Sequence, residues 1–150
     1  MQYNQKHHID VTARAAGAVI YNDAGELLLV QERQGSKKGL WHIPSGSMES
    51  GEFPADTATR EIKEETGLTI HLTHYLNTYV GCFDDGDLVL RHVWLEKYPA
   101  DQPLAPQLTD EIANLRFFSK ADIAELYATN QLRMYHTKLM TDDAFRVLER

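Results

Sequence analysis

The sequence predicts a single domain of the mixed α/β class, and three observations support this prediction. A chain of 150 residues suits one domain with one hydrophobic core. Short β-rich runs alternate with helical segments along it, and no repeat, low-complexity tract or linker marks a second domain. The composition, 43% hydrophobic and 25% charged residues, is ordinary for a globular protein. We therefore treat residues 1–150 as one domain.

Turn residues and helix caps set the predicted element boundaries. Pro54 suits the first turn of a helix and Gly67 suits its C-terminal stop. Ser119 with Asp122 three residues later has the form of a capping box. The predicted elements are a strand at 13–22, a hairpin turn at 23–25, a strand at 26–33, a loop at 34–39, an apolar extension at 40–44, a helix at 53–66, a β hairpin made by 68–83 and 87–98, a loop at 99–107, a short strand at 115–119, a helix ending near 127 and a terminal helix at about 136–149.

Charge and cysteine content restrict the classes of partner and compartment. The net charge of −7 argues against nucleic acid and anionic membranes as partners, because both select a basic surface. An anionic small substrate remains compatible if a bound cation mediates. The single Cys82, which we interpret as a small buried hydrophobe, cannot form an intrachain disulfide. With no apolar leader in residues 1–10 and no membrane-spanning run, we expect a cytoplasmic protein.

The helix predicted at 53–66 carries an unusual concentration of negative charge. At about 100° per residue, Glu61, Glu64 and Glu65 fall within an arc of roughly 100°. Like charges three or four residues apart destabilise a helix unless something compensates them. The obvious partners are Arg60 and a bound cation, and carboxylate clusters suit hard cations such as Mg²⁺ or Mn²⁺. The pattern thus predicts a metal site, with a solvated acidic helix as the alternative.

The stretch from Gly46 to Leu68 resembles the Nudix box of the Nudix hydrolases at every defined position. Gly46 is followed at the family spacing by Glu52, by Arg60-Glu61 with an apolar residue, by Glu64-Glu65, and by Gly67 with Leu68. The flanking segments are similar too, so that most of residues 12–127 is covered. The resemblance implies an α/β/α sandwich around a mixed sheet. It also implies Mg²⁺-dependent hydrolysis of a nucleoside diphosphate linked to another group, by attack of water at phosphorus.

The resemblance also implies roles for individual residues. Glu64 and Glu65 match the main metal ligands, Glu61 a further ligand or the general base, and the Ser45 carbonyl another ligand. Ser45 stands where the family often has Gly, a departure that affects the local loop shape. Arg60 is expected to pair with Glu52 and orient the ligands. Glu111 lies where an additional metal-reaching Glu often occurs, although an ordinary loop charge is the alternative. The implied catalytic set is Glu52, Arg60, Glu61, Glu64 and Glu65, and the implied metal set is Ser45, Glu61, Glu64, Glu65 and Glu111.

Candidates for substrate contacts lie outside the box, and each has a simpler structural interpretation. Aromatic rings can stack on a base but more often pack in a core. Arginines suit phosphate but equally pair on the surface. Lys37 and Lys38 could steer phosphates, His92 could act as a base, and His7-His8 could start a metal site, each against a stronger structural alternative. The candidate substrate contacts are Arg14, Arg33, Trp41, Tyr79, Phe83, Arg91, Arg133, Tyr135 and Lys138.

The sequence leaves the substrate open. We expect a nucleoside triphosphate, including an oxidised one, or a dinucleoside polyphosphate, with ADP-ribose or a nucleotide sugar as the alternative. A nucleotide-sensing module of the same family is less favoured, because such a module is free to lose ligand carboxylates and none is missing here. By resemblance alone, we expect a homodimer.

Overall fold

The computed structural model describes residues 11–150, so the His7-His8 pair lies outside the described residues. Seven strands and three helices occur in this part of the chain. In chain order they are β1 (Ala13–Tyr21), β2 (Leu27–Glu32), β3 (Trp41–His42), β4 (Ser45–Ser47), α1 (Pro54–Thr66), β5 (Tyr75–Cys82), β6 (Leu88–Lys97), β7 (Ile112–Phe118), α2 (Lys120–Ala128) and α3 (Tyr135–Leu148). None of these helices is long and apolar enough to cross a bilayer.

The strands form one mixed sheet. β1 runs parallel to β6 from Ala13 to Tyr21 and antiparallel to β4 at its other edge. β5 extends this part as the outer strand beside β6. β2 instead pairs antiparallel with β3 and β7. The predicted hairpin between β1 and β2 forms only next to its turn, where Tyr21 pairs with Leu27. Beyond this pair the two strands separate, and each pairs with other strands.

Helices cover both faces of the sheet, as the predicted sandwich requires. On one face Ile62 of α1 packs with Ala18 and Ile20 of β1 in a closed apolar cluster. On the other, α2 and α3 pack Ile123 and Met140 against residues of β1, β2 and β6. The α/β class and the arrangement around a mixed sheet are therefore confirmed.

Two predicted strand boundaries were wrong. The strand predicted from residue 68 begins only at Tyr75, because several of the preceding backbone amides donate to side chains, as Thr69 does to Gln102. The buried carboxylate of Glu96 accepts bonds from the amides of Thr73 and His74, at 2.9 and 3.3 Å. The strand predicted at 115–119 begins earlier, at Ile112, since β2 offers it partners along its whole length.

Gly17 of β1, which has no side chain, lets β4 lie close to the rest of the sheet. Ser45 pairs with Gly17, and a Cβ placed on Gly17 would lie 2.2 Å from both the Pro44 oxygen and the Ser45 Cβ. No other residue type would leave that space. The loop that leads from β4 to α1 is thus fixed against the sheet at the edge where the acidic residues lie.

Candidate active site

Helix α1 presents its carboxylates to the loop at Gly46. The helix begins after Phe53, whose amide donates to the Asp56 carboxylate, and ends at Gly67 in the left-handed conformation. A Cβ on Gly46 would lie 2.1 Å from Cδ of Glu61, so only glycine permits this approach. The loop and the helix therefore enclose the Glu61 carboxylate between them.

Arg60 is the cation at the centre of the acidic group. Its Nε and Nη2 donate to the two oxygens of Glu52 at 2.8 and 2.9 Å, which makes a bidentate pair. Its Nη1 donates to Glu61 at 2.8 Å and to Glu64 at 3.3 Å. Its Nη2 also reaches the carbonyl of Ser47 at 3.1 Å. The predicted pairing of Arg60 with Glu52 is present, and Arg60 additionally holds two of the predicted ligands.

Glu65 is the buried member of the group, with 6% of its surface exposed. The main-chain N–H of Ser45 donates to its Oε1 at 3.0 Å. The Ser45 hydroxyl, in turn, accepts a hydrogen bond of 2.6 Å from Nη1 of Arg91. Glu65, Ser45 and Arg91 thus form a continuous chain of contacts from α1 through β4 to β6.

The site perturbs the pKa values of its carboxylates in opposite directions. Hydrogen bonds from Arg60, and then from the Glu49 amide, lower the pKa of Glu52 to about 2. Burial raises the pKa of Glu61, although Arg60 opposes it, and raises the pKa of Glu65 well above its usual value against the Ser45 N–H. Two desolvated carboxylates so close together favour a cation, because a cation restores their ionised form.

Sequence reasoning missed Glu32, which lies at the end of β2 beside this group. Its Oε1 accepts a bond of 3.1 Å from Nη1 of Arg133. Burial is the main cause that raises the pKa of Glu32. The charge of Arg133 lowers this pKa, and the charge of Glu111 raises it further. The carboxylate also contributes to the raised pKa of Glu65. No local motif marks Glu32, since its partner is 101 residues away.

The structure brings Glu111 to the site by tying its loop to α1. The amides of Gln107 and Leu108 donate to the Glu64 carbonyl at 2.7 and 3.0 Å, and the Glu111 carbonyl accepts from the Arg33 amide at 2.8 Å. The Glu111 charge contributes to the raised pKa of both Glu61 and Glu32. Its side chain is exposed.

The donor set fits a hard divalent cation in its chemistry. It offers several carboxylates and the main chain of Ser45, and such oxygen ligands suit Mg²⁺ and Mn²⁺. Among residues 11–150, however, no three His, Cys, Asp or Glu side chains converge on one point, and Nη1 of Arg60 lies between Glu61 and Glu64. Arg60 bonds to one oxygen of each, Oε1 of Glu61 and Oε2 of Glu64, which leaves the second oxygen of each carboxylate for a metal.

Three of the candidate substrate contacts are buried side chains with structural partners of their own. Trp41 is 7% exposed and packs edge-on against Phe118. Tyr79, also 7% exposed, donates its hydroxyl to Asp143 of α3 at 2.6 Å. Arg91 is 3% exposed and bonded to Ser45. The physical reason is their position on strands whose inward faces form the core.

Most of the other candidates also have structural partners. Lys37 pairs with Asp84 at 3.0 Å. Phe83 packs beside Ala15 and Val89 at one end of the sheet. Arg33 contacts the Ile112 carbonyl at 3.4 Å, Arg14 is exposed, and His92 contacts the Tyr75 hydroxyl at 2.9 Å. None of these contacts points to a substrate.

The segment predicted to close over the substrate, residues 133–138, borders an open cavity of about 290 Å³. Tyr127 and Tyr135 lie on this cavity with ring centroids 6.3 Å apart, and Arg133 completes its wall toward Glu32. Lys138 lies 5.5 Å from the centre of the Tyr127 ring and pairs with Asp142. The predicted segment therefore lines a space next to the acidic group.

Buried histidines form a second feature that the sequence did not reveal. Nδ1 of His42 lies 2.7 Å from the Thr137 hydroxyl, and the rings of His42 and His136 are 6.2 Å apart. Burial, and then the charges of Arg91 and Arg133, lower the pKa of His136 to about 4 and that of His42 well below its usual value. Both histidines are consequently neutral at physiological pH.

Comparison with known proteins identifies the class that this fold and site define. The model of the NUDIX domain matches residues 11–138, and the chain therefore belongs to the Nudix family. An uncharacterized Nudix hydrolase of Listeria innocua, lin0387, is 32% identical over 124 residues, which cover 77% of this chain and 69% of that protein. The family match covers both the sheet and helix α1 with its carboxylates.

Other proteins are similar to this chain over a shorter segment of sequence or in fold. Mouse 8-oxo-dGDP phosphatase NUDT18 is 43% identical over 51 residues, which cover 34% of this chain and only 16% of that protein. The NUDIX domain of Shewanella oneidensis NrtR, solved with ADP ribose, has a TM-score of 0.75 at 18% identity and covers 97% of this chain and 94% of its own. A C. elegans Ap4A hydrolase has a TM-score of 0.69 at 24% identity, and the match covers 92% of this chain and 98% of that one.

Proposed function

We propose that this protein is a Mg²⁺-dependent pyrophosphohydrolase acting on a nucleoside triphosphate, including an oxidised one, or on a dinucleoside polyphosphate. One observation carries the proposal: Glu61 lies against the loop at Gly46, the buried Glu65 is fixed to the same loop by the Ser45 amide, and Arg60 joins Glu52 and Glu64 to this group. Buried carboxylates without a matching number of cations are costly, and their retention indicates a bound metal. Mn²⁺ has the same ligand preferences.

We assign a separate role to each group of residues at this site. Glu61, Glu64 and Glu65, with the Ser45 carbonyl, would hold the cation. When bound, it would supply neutralisation of the pyrophosphate charge while water attacks phosphorus and the anhydride P–O bond breaks. Arg60, fixed by its bidentate pair with Glu52, keeps these carboxylates in place.

The attacking water must also lose a proton. Two carboxylates are candidates for the base that accepts it. Burial makes Glu61 more basic than an ordinary glutamate, whereas Glu111 is exposed.

The cavity beside Arg133 is the place we assign to the part of the substrate that the metal does not hold. Its volume of about 290 Å³ and its two tyrosines suit a planar base, which stacks favourably on aromatic rings. Arg133 lies between this cavity and Glu32, so its guanidinium is positioned to contact a phosphate that extends toward the metal.

Two relatives support nucleotide substrates of this class. The mouse relative is named for 8-oxo-dGDP, and the C. elegans structure is that of an Ap4A hydrolase. The NrtR domain solved with ADP ribose supports the alternative, ADP-ribose or a nucleotide sugar as the substrate. Because the chain spans only 16% of the mouse relative, the substrate of that protein cannot be transferred without a direct assay.

The substrate proposal is tested by incubating the protein with Mg²⁺ and nucleoside triphosphates, 8-oxo-dGTP, Ap4A, ADP-ribose and sugar nucleotides. Products are identified by ion-pair chromatography. We expect cleavage at an anhydride bond of a triphosphate or of Ap4A, with slower reaction of the sugar derivatives. Cleavage of ADP-ribose alone would favour the alternative, and no cleavage of any compound would overturn the substrate class.

The position of the base is tested in the same assay with Tyr135→Ala. We expect KM for the preferred substrate to rise several-fold with little change in kcat, because the ring contacts substrate away from the reacting phosphorus. Tyr75→Ala removes another exposed tyrosine, on β5, and should leave KM unchanged. Equal KM values in both variants and the parent protein would exclude this cavity as the base site.

A further inference from the structure

Arg91 is a charged side chain in the interior whose bonded partner is a neutral hydroxyl. It lies in β6 with 3% of its surface exposed, and burial lowers its pKa to about 10. It therefore remains protonated at neutral pH. Its Nη1 donates to the Ser45 hydroxyl at 2.6 Å. The charges of Glu65 and Glu61 favour its protonated form, but its hydrogen bond goes to Ser45, so the guanidinium is in a position to hold that residue.

The guanidinium reaches Ser45 across a strand of small residues. In the parallel register, Arg91 pairs with Ala15 and Val93 pairs with Gly17, while Gly17 also pairs with Ser45. Paired residues share a face of the sheet, and so do residues two apart, which places Arg91 and Ser45 on the same face. The small side chains of β1 leave this face open between them.

The main chain of Ser45 points away from β1. Because the Ala18 amide donates to the Pro44 carbonyl, Ser45 occupies a position on β4 whose own N–H and C=O are not used by β1. The N–H donates to Oε1 of Glu65 instead. The carbonyl lies on the same edge of the strand, on the side of α1 and its carboxylates.

We propose that Arg91 is a positioning residue for the metal site, which acts by clamping the Ser45 hydroxyl so that the main chain of Ser45 stays directed at Glu65. This inference rests on the proposed function, because it concerns the same metal site. A glycine at this position would offer no hydroxyl to hold. The Ser45–Arg91 pair is therefore this chain's own means of fixing the loop.

The test measures affinity for Mg²⁺ by isothermal titration in the absence of substrate, for the parent protein, Arg91→Met, Ser45→Ala and the double variant. We expect each single variant to bind Mg²⁺ about tenfold more weakly, the usual effect of removing a residue that orients a ligand. The double variant should bind no more weakly than the singles, since both remove one contact. Arg91→Lys, which retains a donor, should recover part of the affinity.

Arg116→Met is the matched control, because Arg116 is exposed on β7 and its loss removes the same charge. It should bind Mg²⁺ like the parent protein. The melting temperature without metal is recorded for every variant. Should Arg91→Met fail to fold, Ser45→Ala alone removes the contact and keeps the test decisive.

Each contrary result has a separate meaning. A parent protein that binds no Mg²⁺ at millimolar concentration overturns the proposed function and this inference with it. If the parent binds Mg²⁺ while Arg91→Met and Ser45→Ala bind it equally well, with only a lower melting temperature, Arg91 is merely structural. If the losses in the double variant add, Arg91 does not act through Ser45. The last two results leave the proposed function intact.

Discussion

Gly46 determines how closely the loop approaches the carboxylate of Glu61. A Cβ at this position would lie within 2.4 Å of three atoms of that carboxylate. These atoms are the end of a flexible side chain, so they can move away at little cost to the fold. The consequence of a larger residue is thus expected in function and not in stability.

Gly46→Ala should accordingly lose most Mg²⁺-dependent hydrolysis, about tenfold or more, because the Glu61 carboxylate is displaced from its position. The melting temperature should change little. Circular dichroism and initial rates measure the two effects. Ser47→Ala, at the next and exposed position, keeps the carbonyl that Arg60 contacts and serves as the control. Full activity in Gly46→Ala would show that the position of Glu61 is not critical.

The buried histidines link stability to pH. His136 has a pKa of about 4 in the folded protein because it is buried and lies near Arg91 and Arg133. An unfolded histidine has a pKa of about 6.5, so the unfolded state binds a proton first as the pH falls. The stabilisation is complete above about pH 6.5 and is lost on acidification toward pH 4. At its steepest, this loss is about 1.4 kcal/mol per pH unit for each histidine.

We therefore predict that His136→Gln flattens the fall in free energy of unfolding between pH 7 and pH 5. Urea titrations at several pH values measure this slope. His71→Gln replaces an exposed histidine and should retain the parent slope. An unchanged slope in His136→Gln would mean that His136 does not titrate in this range on unfolding.

Helix α1 depends on Gly67 for the direction in which the chain leaves it. Gly67 has φ of +80°, and a Cβ there would lie 2.3 Å from the main-chain oxygen of Ala105. Two costs therefore combine: a left-handed backbone conformation and a contact with rigid backbone. Gly25 has nearly the same conformation, with φ of +75°, but open space around it.

Comparing Gly67→Ala with Gly25→Ala separates these costs. Gly25→Ala should lose about 1 kcal/mol of unfolding free energy from the backbone conformation alone. Gly67→Ala should lose about 2–4 kcal/mol, because the contact with Ala105 forces the loop to shift. Urea unfolding measures both values. Equal losses would show that the loop at Ala105 moves freely, and that α1 is not fixed at this end.

Local sequence patterns predicted correctly those elements whose ends are determined by residues adjacent in the sequence. α1 and α2 follow from Pro54, Gly67 and the Ser119–Asp122 capping box, which is present as predicted. Residues 68–74 were mispredicted, since the β-rich character of 68–83 does not reveal that the side chains of Glu96 and Gln102 bond to part of this backbone. The sequence pattern of one segment does not predict a hydrogen-bond partner that comes from a distant segment.

In the molecule as a whole, the box was predictable because its ligands lie within one stretch of chain. The Glu32–Arg133 and Ser45–Arg91 pairs join residues 101 and 46 positions apart and carry no local signal. Trp41, Tyr79 and Arg91 could be assigned to the interior only once the faces of their strands were known. The homodimer and the cytoplasmic location remain predictions.

The central claim is that the carboxylates of α1 form a metal-dependent hydrolytic site, and Glu64→Gln tests it most directly. Glu64 is about a quarter exposed, and glutamine keeps its size and its bond from Arg60, so the fold should be retained. Glu149→Gln, at an exposed pair with Lys120, is the control.

The measurement is the initial rate of Mg²⁺-dependent hydrolysis of the preferred nucleotide. Our account predicts that Glu64→Gln is at least about a thousandfold slower than the parent, the scale of several kcal/mol of lost metal assistance, while Glu149→Gln is unchanged. A folded Glu64→Gln protein that hydrolyses the substrate at the parent rate would contradict it.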